Sequence, residues 1–485
     1  MPTYAQVRQR LEQVGQEHLL TFYNALSSHD QDALLRQIDA MDLESLPALV
    51  DRYVRHKPAL ELSGELEPAP YYPCDPDSSA RRWDRAAARA AGEELIRAGK
   101  VAAFTVAGGQ GSRLGFEGPK GCYPAGAVTG KPLFQLFAEN LLGARERYGR
   151  PVPWYIMTSP LNHASTAAFF EAHRFFGLDP ADVMFFPQGV LPSFDMATGR
   201  VLLAAKNEVA TNPDGHGGAI RALHVSGALA DMRRRGIEHI SYFQVDNPIV
   251  RVLDPVFLGL HVNRGGGGLE SSGEMSSKMV RKSGPQEKVG VFCRVNGKVR
   301  VIEYSDLPAR LQEQRLEDGS LRFVAGSIAI HALSVEFVER LAAAGSDGAF
   351  TLPYHRAEKK VPHVDLATGE VVSPPSPNAV KLERFVFDAL PLCRASIVYE
   401  TDRTEEFAPI KNATGADSVE SSREIQTERA ARWLEAAGVR VPRRADGRPD
   451  CVLEISPRTA TCAEELRAAK DRLPAAIEPG ARVAL

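Results

Sequence analysis

Between Val101 and Gly121 the chain reads VAAFTVAGGQGSRLGFEGPKG, a stretch whose residue types could hold the phosphates of a nucleotide. An apolar run, Ala102 to Ala107, reads as a buried strand and empties into Gly108, Gly109 and Gly111. Glycine permits positive φ and a close approach of backbone to ligand, and N–H groups freed in such a loop converge on anions. Arg113 and Lys120 then add two positive charges. The spacing matches neither GxxxxGK[ST] nor the dinucleotide-binding G-x-G-x-x-G. The string is G-G-x-G-[ST]-R-L-G followed by P-K-G.

Elements that would position these groups alternate from residue 100 onward. Strand 101–107 precedes a helix near 132–148, with Pro132 suited to its first turn and Gly149 to its end. Strand 153–158 precedes helix 162–176, with Asn162 as its cap. A short strand at 183–186 and a helix at 218–235 follow, and strand 239–245 runs straight into Asp246. Such alternation predicts a mostly parallel sheet covered by helices on both faces. Ligands of such sheets sit outside the carboxyl ends of the strands, so the glycine loop and Asp246 are expected to share a crevice.

Further on, 289–304 reads as a hairpin turning at Asn296-Gly297. Val299, Val301 and Glu303 fall on one face, and a carboxylate ending an apolar face is expected to point into a polar pocket. The glycine-rich run 265–277 is expected to be mobile. Before residue 100, residues 4–57 read as helices, with Leu19, Phe22, Tyr23 and Leu26 at helical spacing. A proline-rich connector begins at Pro58, and residues 79–98 return to helix before Gly99.

Composition narrows the function classes. The 485 residues carry 58 Lys and Arg against 61 Asp and Glu, so no basic field points to nucleic acid. Six cysteines without a CxxC pair argue against a zinc site or a disulfide framework and fit a reducing cytoplasm. No signal-peptide core opens the chain and no run of 18 apolar residues would span a membrane.

The motifs taken together resemble the eukaryotic-type UDP-N-acetylhexosamine pyrophosphorylases of the UDP-sugar pyrophosphorylase family. The strings run from GQEHLL (15–20) through GGQGSRLG, PKG, YIMTS (155–159), FFPQGVLPSFD (185–195) and PDGHGG (213–218). QVDNPIVRV, VGVFCRV (289–295), VIEYSDLP (301–308), KLERFVFD (381–388) and PIKNATG (409–415) continue in the same order. The resemblance implies an α/β fold: a mostly parallel, Rossmann-like nucleotidyltransferase sheet of GT-A-like type. An N-terminal helical segment (1–99), a catalytic domain (100–405) and a small C-terminal domain (406–485) are the expected parts. It implies an enzyme joining UTP to a hexose 1-phosphate, N-acetylglucosamine 1-phosphate first, with release of pyrophosphate and with Mg²⁺ as cofactor.

Roles carried over from the resemblance fall on matching positions. Arg113, Lys120 and Lys411 would be catalytic cations, and Asp246 the Mg²⁺ ligand. Gly108, Gly109, Gln188 and Gly217 would bind the nucleotide; His216, Gly290, Glu303, Ser327, Phe385 and Phe387 would bind the sugar. Phe385 and Phe387 are expected to alternate on a strand. The family usually carries Asn where His216 stands, and its G-N-I-A-N-H appears here as GSIAIH (326–331). Those exchanges keep open glucose 1-phosphate or a broader range of sugars. A glycosyltransferase would normally carry Asp-x-Asp where this chain has Asp246-Asn247-Pro248. A non-catalytic sugar-nucleotide sensor is the remaining alternative, and the presence of Arg113 and Lys120 counts against it.

Overall fold

A computed structural model describes residues 2–57, 64–343 and 352–485; Pro58 lies outside the described residues. The chain divides into two compact units that interleave along the sequence. The first comprises Met1–Glu61, Gln188–Arg221 and Leu341–Asp388; the second comprises Leu62–Pro187, Ala222–Arg340 and Ala389–Leu485.

In the second unit ten strands form one sheet: β1 (Leu66–Pro68), β2 (Val101–Val106), β3 (Trp154–Thr158), β4 (Val183–Pro187), β5 (His239–Gln244), β6 (Met275–Arg281), β7 (Val291–Val295), β8 (Lys298–Ile302), β9 (Ala325–Ser334) and β10 (Val398–Glu400). The neighbours β4, β3, β2 and β5 are parallel, as the alternation of strand and helix requires. Val106 lies opposite both Met157 and Gln244, which puts the ends of β2 and β5 side by side. Beyond β5 the sheet is mixed. β9 runs antiparallel to β5 and β6, while β6 and β10 are parallel. The β7–β8 hairpin turns at Asn296 (φ +50°) and Gly297 (φ +76°), a pair of left-handed residues that a two-residue turn of this kind demands.

Helices Arg85–Arg97 and Leu133–Tyr148 stop where glycine takes a left-handed φ, at Gly99 (+68°) and Gly149 (+74°). Phe134, Phe137, Trp154 and Phe170 interlock edge to face in the main core of this unit. The helix expected over 218–235 is two helices, Ala219–Val225 and Ala228–Arg234, because Gly227 (φ +81°) breaks it. The run 265–277, expected to be mobile, is fastened. Tyr72 Oη donates to the Gly266 carbonyl at 2.6 Å, Asp84 N donates to the Gly265 carbonyl at 2.7 Å, and residues from Met275 onward are β6.

A helix from Val419 to Ala436, opened by a Ser418 capping box, packs Trp433 and Leu434 against Leu453 and Leu466. Next to Leu453, the Glu454 carboxylate accepts the N–H groups of Val128 and Thr129 at 2.8 Å each and the Thr129 hydroxyl at 2.6 Å. Those acceptances fix the loop that follows the P-K-G string.

The first unit has a core of its own. Helices Tyr4–Gln13 and Ser28–Asp39 bury Val7, Leu11, Leu34 and Ile38 with Phe194, Val201 and Leu382. Strand Ala379–Glu383 pairs with His355–Lys359 and with Phe194–Asp195. Leu19 and Tyr23 lie in separate short 3₁₀ turns rather than in one helix. Among the described residues no helix is long and apolar enough to cross a membrane.

Candidate active site

In the second unit the glycine loop doubles back on itself at the end of β2. Lys120 N donates to the Gly109 carbonyl at 3.0 Å and Gly111 N to the Gly118 carbonyl at 2.9 Å. The Lys120 Cε atom thereby lies 4.0 Å from where a Cβ on Gly109 would stand. The expected reason for the glycines changes. Positive φ occurs at Gly115 (+67°) and Gly118 (+132°), not at Gly108, Gly109 or Gly111. Gly111 is glycine for space, since a Cβ there would sit 2.7 Å from the Phe116 ring. Arg113 is exposed on the turn Ser112–Leu114 and Lys120 is half-buried. Neither side chain has a carboxylate partner among the described residues. Two cations on one glycine-rich turn, without carboxylate partners among the described residues, suit a polyanion.

Asn162 stands at the N-cap of the helix that follows β3, as expected, but its side chain makes no capping bond. It is fully buried, and its Nδ2 donates to the carbonyls of Ala107 (3.0 Å) and Gly109 (3.3 Å) while Oδ1 accepts from Ser159 N at 2.7 Å. It therefore pins the glycine loop to the end of β3. Its spacing before an apolar helix gave only the capping reading.

At the end of β5, Asp246 and Lys411 line one cavity of about 60 Å³, together with Gln244, Asn247, Ser327 and Ile330. Ile410 N donates to the Asp246 carbonyl at 2.8 Å. Asn247 brackets the same segment, donating to the Glu406 carbonyl at 2.7 Å and accepting from Ala408 N at 3.1 Å. Asn247, noted in the sequence only as a departure from Asp-x-Asp, thus carries the segment that presents Lys411. Lys411 Nζ lies 3.8 Å from Asp417 and 5.7 Å from the Phe407 ring centre. The cavity has room for water, an ion or a phosphate oxygen. Asp246 is its one carboxylate, and no group of three or more His, Cys, Asp or Glu that could hold a metal ion occurs among the described residues. One carboxylate, completed by phosphate oxygens and water, fits Mg²⁺.

Gly290, Glu303 and Ser327 come together next to this cavity. Ser327 N donates to the Gly290 carbonyl at 2.7 Å, and Glu303 Oε1 lies 3.3 Å from a Cβ position built on Gly290. Ala329, two residues on, is left-handed inside β9 (φ +53°) where the pairing with β6 slips. A non-glycine residue held there within a lining strand stores strain.

The first unit holds the other group. Gln188 is buried, and its amide has no hydrogen-bond partner among the described residues. His216 stacks on Phe385 (centroids 5.1 Å, 15°) and tilts against Phe387 (5.6 Å), so these three come together. The two phenylalanines are not on a strand, because Ala379–Glu383 ends before them and Phe387 lies in the 3₁₀ turn Val386–Leu392. Burial, helped by His355, lowers the His216 imidazole to about 4, so it is neutral at pH 7. Its Nδ1 accepts from Val386 N at 3.1 Å, which leaves the proton on Nε2 as a single donor. Gly217 faces its own unit rather than open space. Its N–H donates to the Arg384 carbonyl at 2.8 Å, and a Cβ would sit 2.7 Å from the Arg384 carbonyl carbon.

A mixed α/β sheet with four neighbouring parallel strands, carrying a glycine loop, two cations and a lone carboxylate at adjacent strand ends, defines a nucleotidyltransferase-type protein. Residues 73–431 match the family described as UTP–glucose-1-phosphate uridylyltransferase, and the chain belongs to that family. It is 38% identical over 499 residues to the human UDP-N-acetylhexosamine pyrophosphorylase-like protein 1, covering 96% of this chain and 94% of that one. Identity to the UDP-N-acetylglucosamine pyrophosphorylase of Saccharomyces cerevisiae is 35%, covering 96% and 97%. The crystal structure of the uridine diphosphate N-acetylglucosamine pyrophosphorylase from Trypanosoma brucei superposes with a TM-score of 0.79 at 26% identity, covering 97% and 96%.

Proposed function

We propose that this nucleotidyltransferase forms UDP-N-acetylglucosamine and pyrophosphate from UTP and N-acetylglucosamine 1-phosphate. The observation that carries the reading is the pair of partnerless cations, Arg113 and Lys120, on the glycine loop beside the strand end that bears Asp246. In the reaction an oxygen of the sugar phosphate forms a bond to the α-phosphorus of UTP. The bond from that phosphorus to the bridging oxygen breaks, and pyrophosphate leaves with the electron pair. Such a transfer needs positioning and charge neutralisation more than covalent help.

Gly108 and Gly109 are the proposed backbone contacts to the nucleotide, and Arg113 and Lys120 take up the charge that gathers on the departing pyrophosphate. Lys411 grounds the sugar phosphate. Gln188, whose amide both donates and accepts, reads the uracil edge with Gly217 near the nucleoside. Glu303 accepts from sugar hydroxyls, Gly290 and Ser327 lie beside it, and His216, Phe385 and Phe387 wall the substituent. Asp246 is the proposed ligand of Mg²⁺, which when bound neutralises phosphate charge. Six free thiols fit the cytoplasm as the place of action.

A second reading, glucose 1-phosphate as the preferred sugar, is favoured by Ser327 and Ile330, which offer one short hydroxyl and no amide to an acetamido group. One assay tests both: pyrophosphate release from UTP with N-acetylglucosamine 1-phosphate, N-acetylgalactosamine 1-phosphate and glucose 1-phosphate. The highest kcat/KM is expected with N-acetylglucosamine 1-phosphate; a higher value with glucose 1-phosphate selects the second reading. Lys120→Ala should lower kcat about 100- to 1000-fold, as removal of one transition-state donor does. A kcat near wild type would sink the assignment.

A further inference from the structure

One buried carboxyl group in the first unit joins three separate segments. Asp214, 4% exposed, donates its backbone N–H to the Gly189 carbonyl at 3.1 Å and accepts Arg384 N on its own carbonyl at 2.8 Å. Its side chain fills the space where two neighbours lack a Cβ. Oδ2 lies 2.6 Å from the position a Cβ would take on Gly189, and the same carboxyl group would collide with a Cβ on Gly218. Gly189 follows Gln188, Gly218 closes the turn of His216 and Gly217, and Arg384 precedes Phe385. Oδ1 is buried without a hydrogen-bond partner among the described residues.

We infer that Asp214 is a positioning residue for uridine recognition, its carboxyl group wedging the Gln188–Gly189 and Gly215–Gly218 turns into one fixed arrangement. The inference rests on the uridylyltransferase reading and gives that reading a pH dependence. The charged groups facing Asp214 are Arg384 and Arg221, and Tyr354, whose hydroxyl accepts from Arg384, is its other titratable neighbour. Burial pushes the carboxyl group up to about 7 against the pull of Arg384 and Arg221. Below that value it is neutral. Above it, a charge sits buried with Oδ1 unbonded, which loosens the wedge.

The experiment measures KM for UTP and kcat from about pH 6 to about pH 8 in wild type and in Asp214→Asn, which keeps the shape and removes the titration. Wild-type KM should rise about threefold across a midpoint near 7, less than the worth of one hydrogen bond, and the variant's KM should stay flat. Thermal midpoints from about pH 4 to about pH 8 need no substrate. The folded carboxyl group binds its proton up to about 7 and the unfolded one only to its ordinary value near 3.8, so wild-type stability falls as pH rises between them. Asp214→Asn should lose that fall. A variant that keeps the wild-type KM profile overturns the positioning role, and one that keeps the thermal profile overturns the titration. A wild type that releases no pyrophosphate refutes the functional reading instead, and the thermal arm still decides on Asp214.

Discussion

Asp254 in the second unit and Asp214 in the first are equally buried, each 4% exposed, and differ only in their company. Asp254 accepts Lys278 Nζ at 2.7 Å, has Arg251 at 3.3 Å, and receives Val256 N at the start of its helix. Lys278, fully buried, also bonds both oxygens of Glu406 and lies over the rings of Phe257 and Tyr399. Burial alone would raise the Asp254 carboxyl group. Arg251 and Lys278 outweigh it and hold that group below the ordinary carboxylate range. Asp214 faces Arg384 and Arg221 without a salt bridge to either, and burial pushes its carboxyl group up to about 7 against their pull. Burial sets the stakes for a charge, and the neighbours set the sign.

The comparison breaks most visibly at Lys278. Lys278→Met would leave Asp254 and Glu406 buried without their shared cation and should cost about 3–5 kcal/mol in urea unfolding. Wild-type Asp254 contributes stability that is present above the ordinary carboxylate range and is lost as pH falls through its lowered value. That acid-side loss should shrink in the variant. A cost below about 1 kcal/mol would make the cluster no more than a surface-type pair.

Asn162 sharpens the comparison from the uncharged side, being buried and satisfied on both donor and acceptor. Asn162→Ala removes two hydrogen bonds to the glycine loop and one to the end of β3, and should cost about 1–3 kcal/mol while raising KM for UTP more than it lowers kcat. An unchanged KM with lowered stability would confine Asn162 to folding. The smallest effect is expected at Ala329, where strain is stored in the backbone instead of in a charge. Ala329→Gly should raise stability by about 1 kcal/mol, read as a higher thermal midpoint. A lowered midpoint would show that chain entropy outweighs the left-handed φ.

The sequence exposed what depends on local pattern. The strand before Gly108, the Asn296-Gly297 turn and the stops at Gly99 and Gly149 follow from neighbours a few residues apart, and the adjacency of the glycine loop and Asp246 follows from the alternation of strands and helices. Features built by distant partners stayed hidden. Asn162 carries the residue type of a helix cap, and only the fold shows its amide turned to Ala107 and Gly109. Asp214 sits inside PDGHGG as an ordinary turn residue until Gly189 arrives beside it. Ala329 gave no sign of a left-handed φ, because the slip in pairing that produces it belongs to two strands at once. The interleaving of three separated segments in each unit has no local signature at all.

Glu454 has a consequence for the order in which the protein becomes competent. Val128 and Thr129 leave the ribosome 326 and 325 residues before the carboxylate that fastens them. A nascent chain can therefore assemble β2, the glycine loop and Lys120 early while the loop that follows them stays unanchored. Only when Glu454 has been synthesised can it accept from Val128 and Thr129, so this anchoring of the loop is a late event in biosynthesis.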